Sequence, residues 1–233
     1  RTEGTRVVSY TYETFTQEAI SSFTNIPFAG AEANAALIAA MPTIINQAEQ
    51  RIYTDLQLLA TIVRDTSGIT TPNSRNFTLP TPAGADRFVV VQSINIINGN
   101  SRTPVIKVAR ELLDSLWPSD VGNGDVPNKW APITDQTILL GPSPTTLYNL
   151  EIYGTIRPAA LSESNQETYL STEMPALFFA AAMVAASGYM RNFGAQADDP
   201  KMANSWEAQY NALLPGYQKE ETARKYQSYY GGQ

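Results

Sequence analysis

The 233-residue sequence contains no cysteine and no histidine. Without cysteine the chain has no disulfide framework, no thiolate zinc site and no thiol nucleophile. Without histidine it lacks the commonest general base and the usual metal ligand. Ser-His-Asp and Cys-His catalytic arrangements and the HExxH zinc motif are therefore excluded.

Charge is also scarce, since charged residues make up 16% of the chain against the usual quarter. Affinity for nucleic acid comes chiefly from Lys and Arg, so a net charge of −6 argues against a phosphate-binding surface. A polar, weakly charged surface is typical of a protein that contacts other proteins, although solubility alone also explains it. No apolar run reaches the ~18 residues of a membrane span, and the first residues do not resemble a signal peptide.

What is present predicts a folded protein that begins with helices, because hydrophobic residues make up 43% of the chain. Thr11 or Thr14 is a candidate N-cap for a helix that carries Phe15, Ala19, Ile20 and Phe23. Pro42 then opens a long helix or kinks a continuous one. Its apolar stripe consists of Ile45, Ala48, Ile52, Leu56, Leu59 and Val63. The spacing predicts a helix over Thr43–Asp65, ended by Ser67-Gly68.

The pattern changes from Thr70, where Pro and Gly separate short runs rich in β-branched residues. Such runs predict antiparallel strands. Around Glu151 the apolar and polar residues alternate, which is the period of a half-buried strand. The stretch ARELLDSLWP predicts a short helix between strands, ended by Pro118.

From Ser162 the pattern is helical again. Residues 171–175 form a start signal for a helix whose composition is apolar on every side, which predicts that it is buried. A second stripe with Trp206 and Tyr210 follows, and the chain ends in a polar helix and a Tyr/Gly tail. The predicted fold is α+β, mainly an α-helical bundle with an inserted antiparallel β region. The predicted segments are 1–69 (arm and helices), 70–161 (β insertion), 162–218 (C-terminal helices) and 219–233 (extended tail).

No acidic cluster in the sequence has the pattern of a catalytic or metal site. The loop with Asp120 and Asp125 fails the calcium-loop pattern, because Gly122 and Gly124 occupy ligand positions. Asp198-Asp199 before a proline is typical of a helix start. Glu220-Glu221 predicts a solvated, salt-bridging helix face. Nucleotide-binding and nucleophile-elbow motifs are absent. We therefore expect no catalytic residue, no metal and no cofactor.

Three stretches together resemble the head-to-tail adaptor (head-completion, or connector) proteins of tailed bacteriophages. The resemblance runs from about Thr11 to Leu214. It is carried by MPTIINQAEQRIYTDLQLL, by TILLGPSPTTLYNLEIYGTIRPAALSESNQETYLSTEMPALFFAAAMVAA and by SWEAQYNALL. These are patterns of packing and turns with no catalytic signature.

The resemblance implies a structural virion protein at the portal vertex, the interface between head and tail, assembled in the host cytoplasm. It implies a homo-oligomeric ring, typically of twelve copies, that binds the portal protein and extends the DNA channel used in genome ejection. Double-stranded DNA then passes through the lumen without sequence-specific binding. The ring also offers a platform for tail nozzle or tail-fibre proteins.

Two sets of residues are candidates for these contacts. The packing helix has Ile45, Ile52, Leu56 and Leu59 as candidate subunit-packing residues. The polar, Gly-ended tail carries the candidate portal-docking residues Tyr226, Tyr229 and Tyr230, because tyrosine anchors cost little side-chain entropy on binding. Two alternatives stay open: a glycan-binding or glycan-degrading tail protein that uses carboxylates such as Asp120, Asp125, Asp198 and Asp199, and another tail-attachment or terminator protein.

Overall fold

A computed structural model describes residues 9–28, 30, 34–119, 126–190 and 200–230. Helices and strands are both abundant, which confirms the α+β class. The chain divides into two compact units. The helical unit comprises Arg1–Leu59 and Ala159–Gln233, and the sheet unit comprises Ala60–Pro158. The predicted four-segment division stays a prediction, although the helix ends differ from it as described below.

The first helical segment is a π-helix over Thr14–Ile20 that continues as α1, Ser21–Thr24. Thr11 and Thr14 exchange hydrogen bonds between the backbone N–H of one and the hydroxyl of the other, at 2.9 and 3.2 Å. The i→i+5 bonds of a π-helix widen its turn. Phe15 and Ile20 are consequently both fully buried, whereas Phe23, predicted to lie on the same stripe, is 59% exposed.

The long helix α2 spans Ala35–Asp55, and Pro42 lies inside it. The Asn34 side chain caps its start by accepting hydrogen bonds from the N–H groups of Ala36 and Leu37. The predicted helix end at Asp65 is wrong, since a 3₁₀ turn at Leu59–Thr61 leads directly into strand β1, Ile62–Ile69. Pairing of the β-branched residues in this run with a distant strand overrides the helical spacing.

The core of the helical unit is built around α5, Pro175–Met190, which packs against α2 and against α6, Pro200–Tyr230. The short helix α4, Tyr169–Glu173, precedes α5 and is held by a capping box between Thr168 and Ser171. Ala180, Ala181 and Ala182 are at most 2% exposed, as the all-apolar composition of this stretch predicts.

The sheet unit is a curled seven-stranded sheet in the order β1-β7-β3-β4-β5-β6-β2. After β1, its strands are β2 (Asn76–Thr78), β3 (Phe88–Asn98), β4 (Ser101–Lys107), β5 (Lys129–Pro132), β6 (Thr137–Gly141) and β7 (Asn149–Ile156). All pairs are antiparallel except β4 with β5, which are parallel. The prediction of purely antiparallel strands is therefore wrong at this pair, because a crossover containing α3, Arg110–Leu116, joins the two strands.

The inner face of the sheet forms a core of its own that includes Phe88, Ile94, Ile96, Leu150 and Ile152. On the outside, helix α3 covers β5 and β6 through a small separate cluster of Leu113, Ala131 and Leu139. The outer face of β1, β7, β3 and β4 carries exposed arginines and aliphatic side chains, described next.

Candidate interaction surfaces

The candidate subunit-packing residues of α2 are used mainly within their own chain. Ile45 and Ile52 are fully buried and Leu56 is 3% exposed, all in the core of the helical unit. Leu59 follows the helix end and is 45% exposed. Of these four residues, only Leu59 offers a side-chain surface to a neighbour, because the others are covered by α5 and other core residues.

The polar side of α2 is bound to α6. Arg51 makes a two-pronged ion pair with Glu207, with N–O distances of 2.7 and 2.5 Å. The Arg51 guanidinium also lies 4.0 Å from the ring centre of the buried Tyr210, whose hydroxyl donates to Asp55 at 2.7 Å. Two-pronged Arg–carboxylate contacts fix geometry as well as adding energy. The register between α2 and α6 is thus set by polar contacts beside an apolar core.

Two buried glutamates bind the backbone beside the two points where the chain leaves and re-enters the helical unit. The Glu221 carboxylate, on α6, accepts a hydrogen bond from the N–H of Leu59 at 3.0 Å, and Leu59 is the last residue before the sheet unit. The Glu49 carboxylate, on α2, accepts a hydrogen bond from the N–H of Leu161 at 3.1 Å, just after the chain returns. Glu49 and Glu221 are only 1% and 3% exposed, so both connections end on desolvated carboxylates.

The predicted solvated face at Glu220-Glu221 is therefore correct for Glu220 and wrong for Glu221. The Glu221 carboxylate also accepts a hydrogen bond from the Tyr169 hydroxyl at 2.9 Å. Burial, together with the neighbouring Glu221 carboxylate, raises the pKa of Tyr169 above its ordinary value. Arg224 contacts both the Tyr169 hydroxyl and Glu220. Helical spacing alone could not reveal this burial, because it depends on a backbone N–H that is 162 residues away.

We expect Glu221→Ala to lower the free energy of unfolding by about 2 kcal/mol, since it removes the charged acceptor of hydrogen bonds from Leu59, Tyr169 and Arg224. The matched control is Glu220→Ala, which removes an exposed carboxylate one residue away and is expected to change stability by less than about 0.5 kcal/mol. Urea unfolding monitored by circular dichroism measures both. Equal effects of the two substitutions would contradict the anchoring role of Glu221.

The outer face of β1, β7, β3 and β4 has a buried carboxylate at its centre. Glu151 on β7 is 1% exposed and binds Arg64 on β1 at 2.5 Å, Arg102 on β4 at 3.0 Å and Asn95 on β3 at 3.1 Å. Burial opposes ionisation, but these hydrogen bonds outweigh it and hold the pKa of Glu151 below its ordinary value. Neither arginine has a second carboxylate at ion-pairing distance among residues 9–28, 34–119, 126–190 and 200–230. Two guanidinium groups therefore share one carboxylate.

Aliphatic side chains surround the arginine pair on the same outer face. Ile69, Val90 and Ile106 are 54%, 55% and 61% exposed. The strand registers place them on the side opposite the buried core, since Val90 pairs with Thr155 and Ile69 with Asn149. We call this surface, made of Ile69, Val90, Ile106, Arg64 and Arg102, the arginine face. Exposed aliphatic groups around oriented arginines are typical of protein-binding surfaces.

The candidate portal-docking tyrosines lie on a helix. The predicted extended tail from residue 219 is wrong as far as Tyr230, because α6 continues to that residue. Helix-forming residues in this stretch and the contacts of Glu221 and Arg224 support the continuation. Tyr226 is 61% exposed, and Tyr229 and Tyr230 lie in the final turn. Residues 231–233 lie outside the described residues.

The acidic residues considered for other chemistry lie largely outside the described part of the chain, since Asp120, Asp125, Asp198 and Asp199 all belong to the gaps. Within the described ranges, no three acidic side chains converge in a way that could hold a metal ion. No helix there has both the length and the hydrophobicity that a bilayer crossing requires.

Comparison with known protein families identifies the family of the chain that carries these surfaces. Residues 10–231, which span both compact units, match the SU10 adaptor protein family. The chain belongs to the SU10 adaptor protein family. It is thus a phage adaptor protein, a structural component of the virion, which agrees in general terms with the resemblance noted in the sequence. No curated protein matches the chain.

Proposed function

We propose that this chain is a head-to-tail adaptor that assembles as a ring of twelve copies between the portal and the tail of a tailed phage. The ring extends the DNA channel and provides the platform for tail nozzle or tail-fibre proteins. The observation that carries the proposal is the adaptor-family match over residues 10–231, which includes both the helical unit and the sheet unit.

The distribution of charge supports a DNA channel bordered by the helical unit. Residues 60–158 contain eight Lys and Arg and eight Asp and Glu, so the whole net charge of −6 belongs to the helical unit. An acidic wall repels the phosphate backbone and gives none of the counterion release that drives binding to DNA. DNA therefore passes such a wall without being retained.

The end of α6 supports portal docking. Its last turns carry Tyr226, Tyr229 and Tyr230, and the helix is held to its own unit by Glu221 and Arg224 immediately before them. Tyr226 is 61% exposed, and aromatic anchors carried on a helix that is already formed lose little entropy on binding.

Ending the chain after Arg224 is expected to abolish portal binding while the fold stays intact, because the contacts of Glu221 and Arg224 are kept. Sedimentation with the purified portal of the same phage measures binding, and circular dichroism checks the helical content. A chain that ends after Tyr230 keeps the tyrosines and is the control, with binding expected to be normal. Normal binding by the shorter chain would contradict the docking role of the tyrosines.

The function itself is tested by electron microscopy of the chain mixed with its portal. A twelve-fold ring on the portal supports the adaptor, whereas a six-fold or three-fold ring supports a tail-terminator or another tail-attachment protein. Particles that show this chain elsewhere than at the vertex between head and tail would contradict the proposal.

A further inference from the structure

The helical unit carries a set of exposed carboxylates that have no cation. Glu13, Glu163 and Glu167 are all exposed, and no Lys or Arg of the described residues lies at ion-pairing distance from any of them. Their segments are joined by a backbone hydrogen bond, in which the N–H of Tyr12, next to Glu13, donates to the carbonyl of Gln166, next to Glu167, at 2.9 Å. We call Glu13, Glu163 and Glu167 the acidic patch.

The Glu163 carboxylate lies near the same backbone contact, as its effect on Tyr12 indicates. Burial, and next the Glu163 carboxylate, raise the pKa of the Tyr12 hydroxyl above its ordinary value. Three like charges around one backbone contact repel one another, and a cationic surface brought against them would relieve that repulsion.

The arginine face has the complementary character. Glu151 neutralises only one of its two guanidinium groups, and Arg64 and Arg102 are 45% and 56% exposed. Glu151 also holds both side chains in place, so little side-chain entropy remains to be lost when they bind a further carboxylate.

We propose that the arginine face of one copy binds the acidic patch of the next copy around the ring, an inference that rests on the ring assembly proposed above. The contact joins two different surfaces of the same chain, so it is head-to-tail, and such contacts close into rings when the rotation between subunits allows. The aliphatic groups around the arginines exclude water from the contact and strengthen the ion pairs.

A second copy fits the arginine face better than DNA does. The sheet unit has no net charge, and Ile69, Val90 and Ile106 offer nothing to a phosphate backbone. Aliphatic and carboxylate groups together are what a protein surface provides, and the acidic patch is present in every neighbour at the high effective concentration of an assembled ring.

Cysteine cross-linking tests the contact directly, since the chain has no cysteine of its own. One chain with Ile106→Cys and another with Glu163→Cys are assembled together on the purified portal and oxidised mildly. We expect the mixed disulfide to form at least tenfold faster than with the control pair, Leu116→Cys and Glu163→Cys. Leu116 is 49% exposed and lies on α3, which packs against β5 and β6.

The outcomes separate this inference from the proposed function. If unmodified chains form no ring on the portal, the proposed function fails. If rings form but the two pairs cross-link at equal rates, the contact between arginine face and acidic patch is wrong. A chain carrying both Ile106→Cys and Glu163→Cys that gives only a disulfide within one chain would also overturn the contact.

Charge reversal gives an independent check. We expect ring assembly to fall at least tenfold in a triple variant with Glu13→Lys, Glu163→Lys and Glu167→Lys. Adding Val90→Glu and Ile106→Glu to the same chain is expected to restore part of the assembly. Retention of duplex DNA by the purified chain, lost on Ile106→Glu, would assign the face to DNA and contradict the proposal.

Discussion

Replacing Gly154 with alanine is expected to destabilise the sheet unit by about 3 kcal/mol. Gly154 lies on β7 between Val63 of β1 and Val91 of β3. A Cβ atom there would lie 2.5 Å from the Phe88 ring and 2.8 Å from the carbonyl oxygen of Val90. The ring is fully packed in the core and the carbonyl belongs to the backbone, so neither can move without disturbing the sheet.

Gly216→Ala is the matched control, since the same methyl group is added in α6 where nothing lies within 4 Å of it. Alanine is favoured over glycine inside a helix, so we expect a gain of about 1 kcal/mol. Hydrogen exchange of the β3 and β7 amides and denaturant midpoints measure both variants. Unchanged exchange in β3 and β7 of the Gly154 variant would show that the strands adjust to the methyl group.

Raising the pH from 5 to 8.5 is expected to cost the helical unit about 3 kcal/mol through Glu49 alone. Burial raises the pKa of Glu49 to about 7, and the hydrogen bond from Leu161 only partly offsets it. The ordinary value for a glutamate is 4.5, which we take for the unfolded chain. The folded state therefore prefers the neutral acid, so this stabilisation is complete below pH 4.5 and is lost as the pH rises through 7.

Glu49→Gln isolates the effect, because glutamine keeps an oxygen for the Leu161 N–H and never ionises. Its stability is expected to equal that of the unmodified chain near pH 5 and to exceed it by about 3 kcal/mol at pH 8.5. Glu18→Gln, at an exposed position, serves as the control and should follow the unmodified chain at every pH. If the free energy of unfolding changes with pH in the same way for Glu49→Gln and for the unmodified chain, the pKa of Glu49 is not raised.

The sequence predicted those features that depend on local pattern. The α+β class, the buried helix at Pro175–Met190 and the alternation around Glu151 follow from composition and spacing over short stretches. The end of α2 could not be predicted in this way, because the run after Asp55 has both helical spacing and β-branched residues. Its pairing with β7, some ninety residues later, decides in favour of a strand.

The candidate sites were predicted less well, for a physical reason. Arg64, Asn95, Arg102 and Glu151 lie on four strands whose order in the sheet differs from their order in the chain. Likewise the burial of Glu49 and Glu221 depends on backbone groups more than a hundred residues away. Glu49 lies four residues after Ile45, on the apolar side of the predicted helix. This position was the one local sign in the sequence that Glu49 is buried.

The placement of Glu49 and Glu221 has a consequence for evolution and engineering. Among the residues that the structure describes, the core of the helical unit contains none from 60–158, and both connections to that insertion are secured by carboxyl groups of the helical unit itself. The insertion can therefore be exchanged for another module without rebuilding its host. A lineage can in this way acquire a new insertion by recombination, while the same helical frame is inherited unchanged.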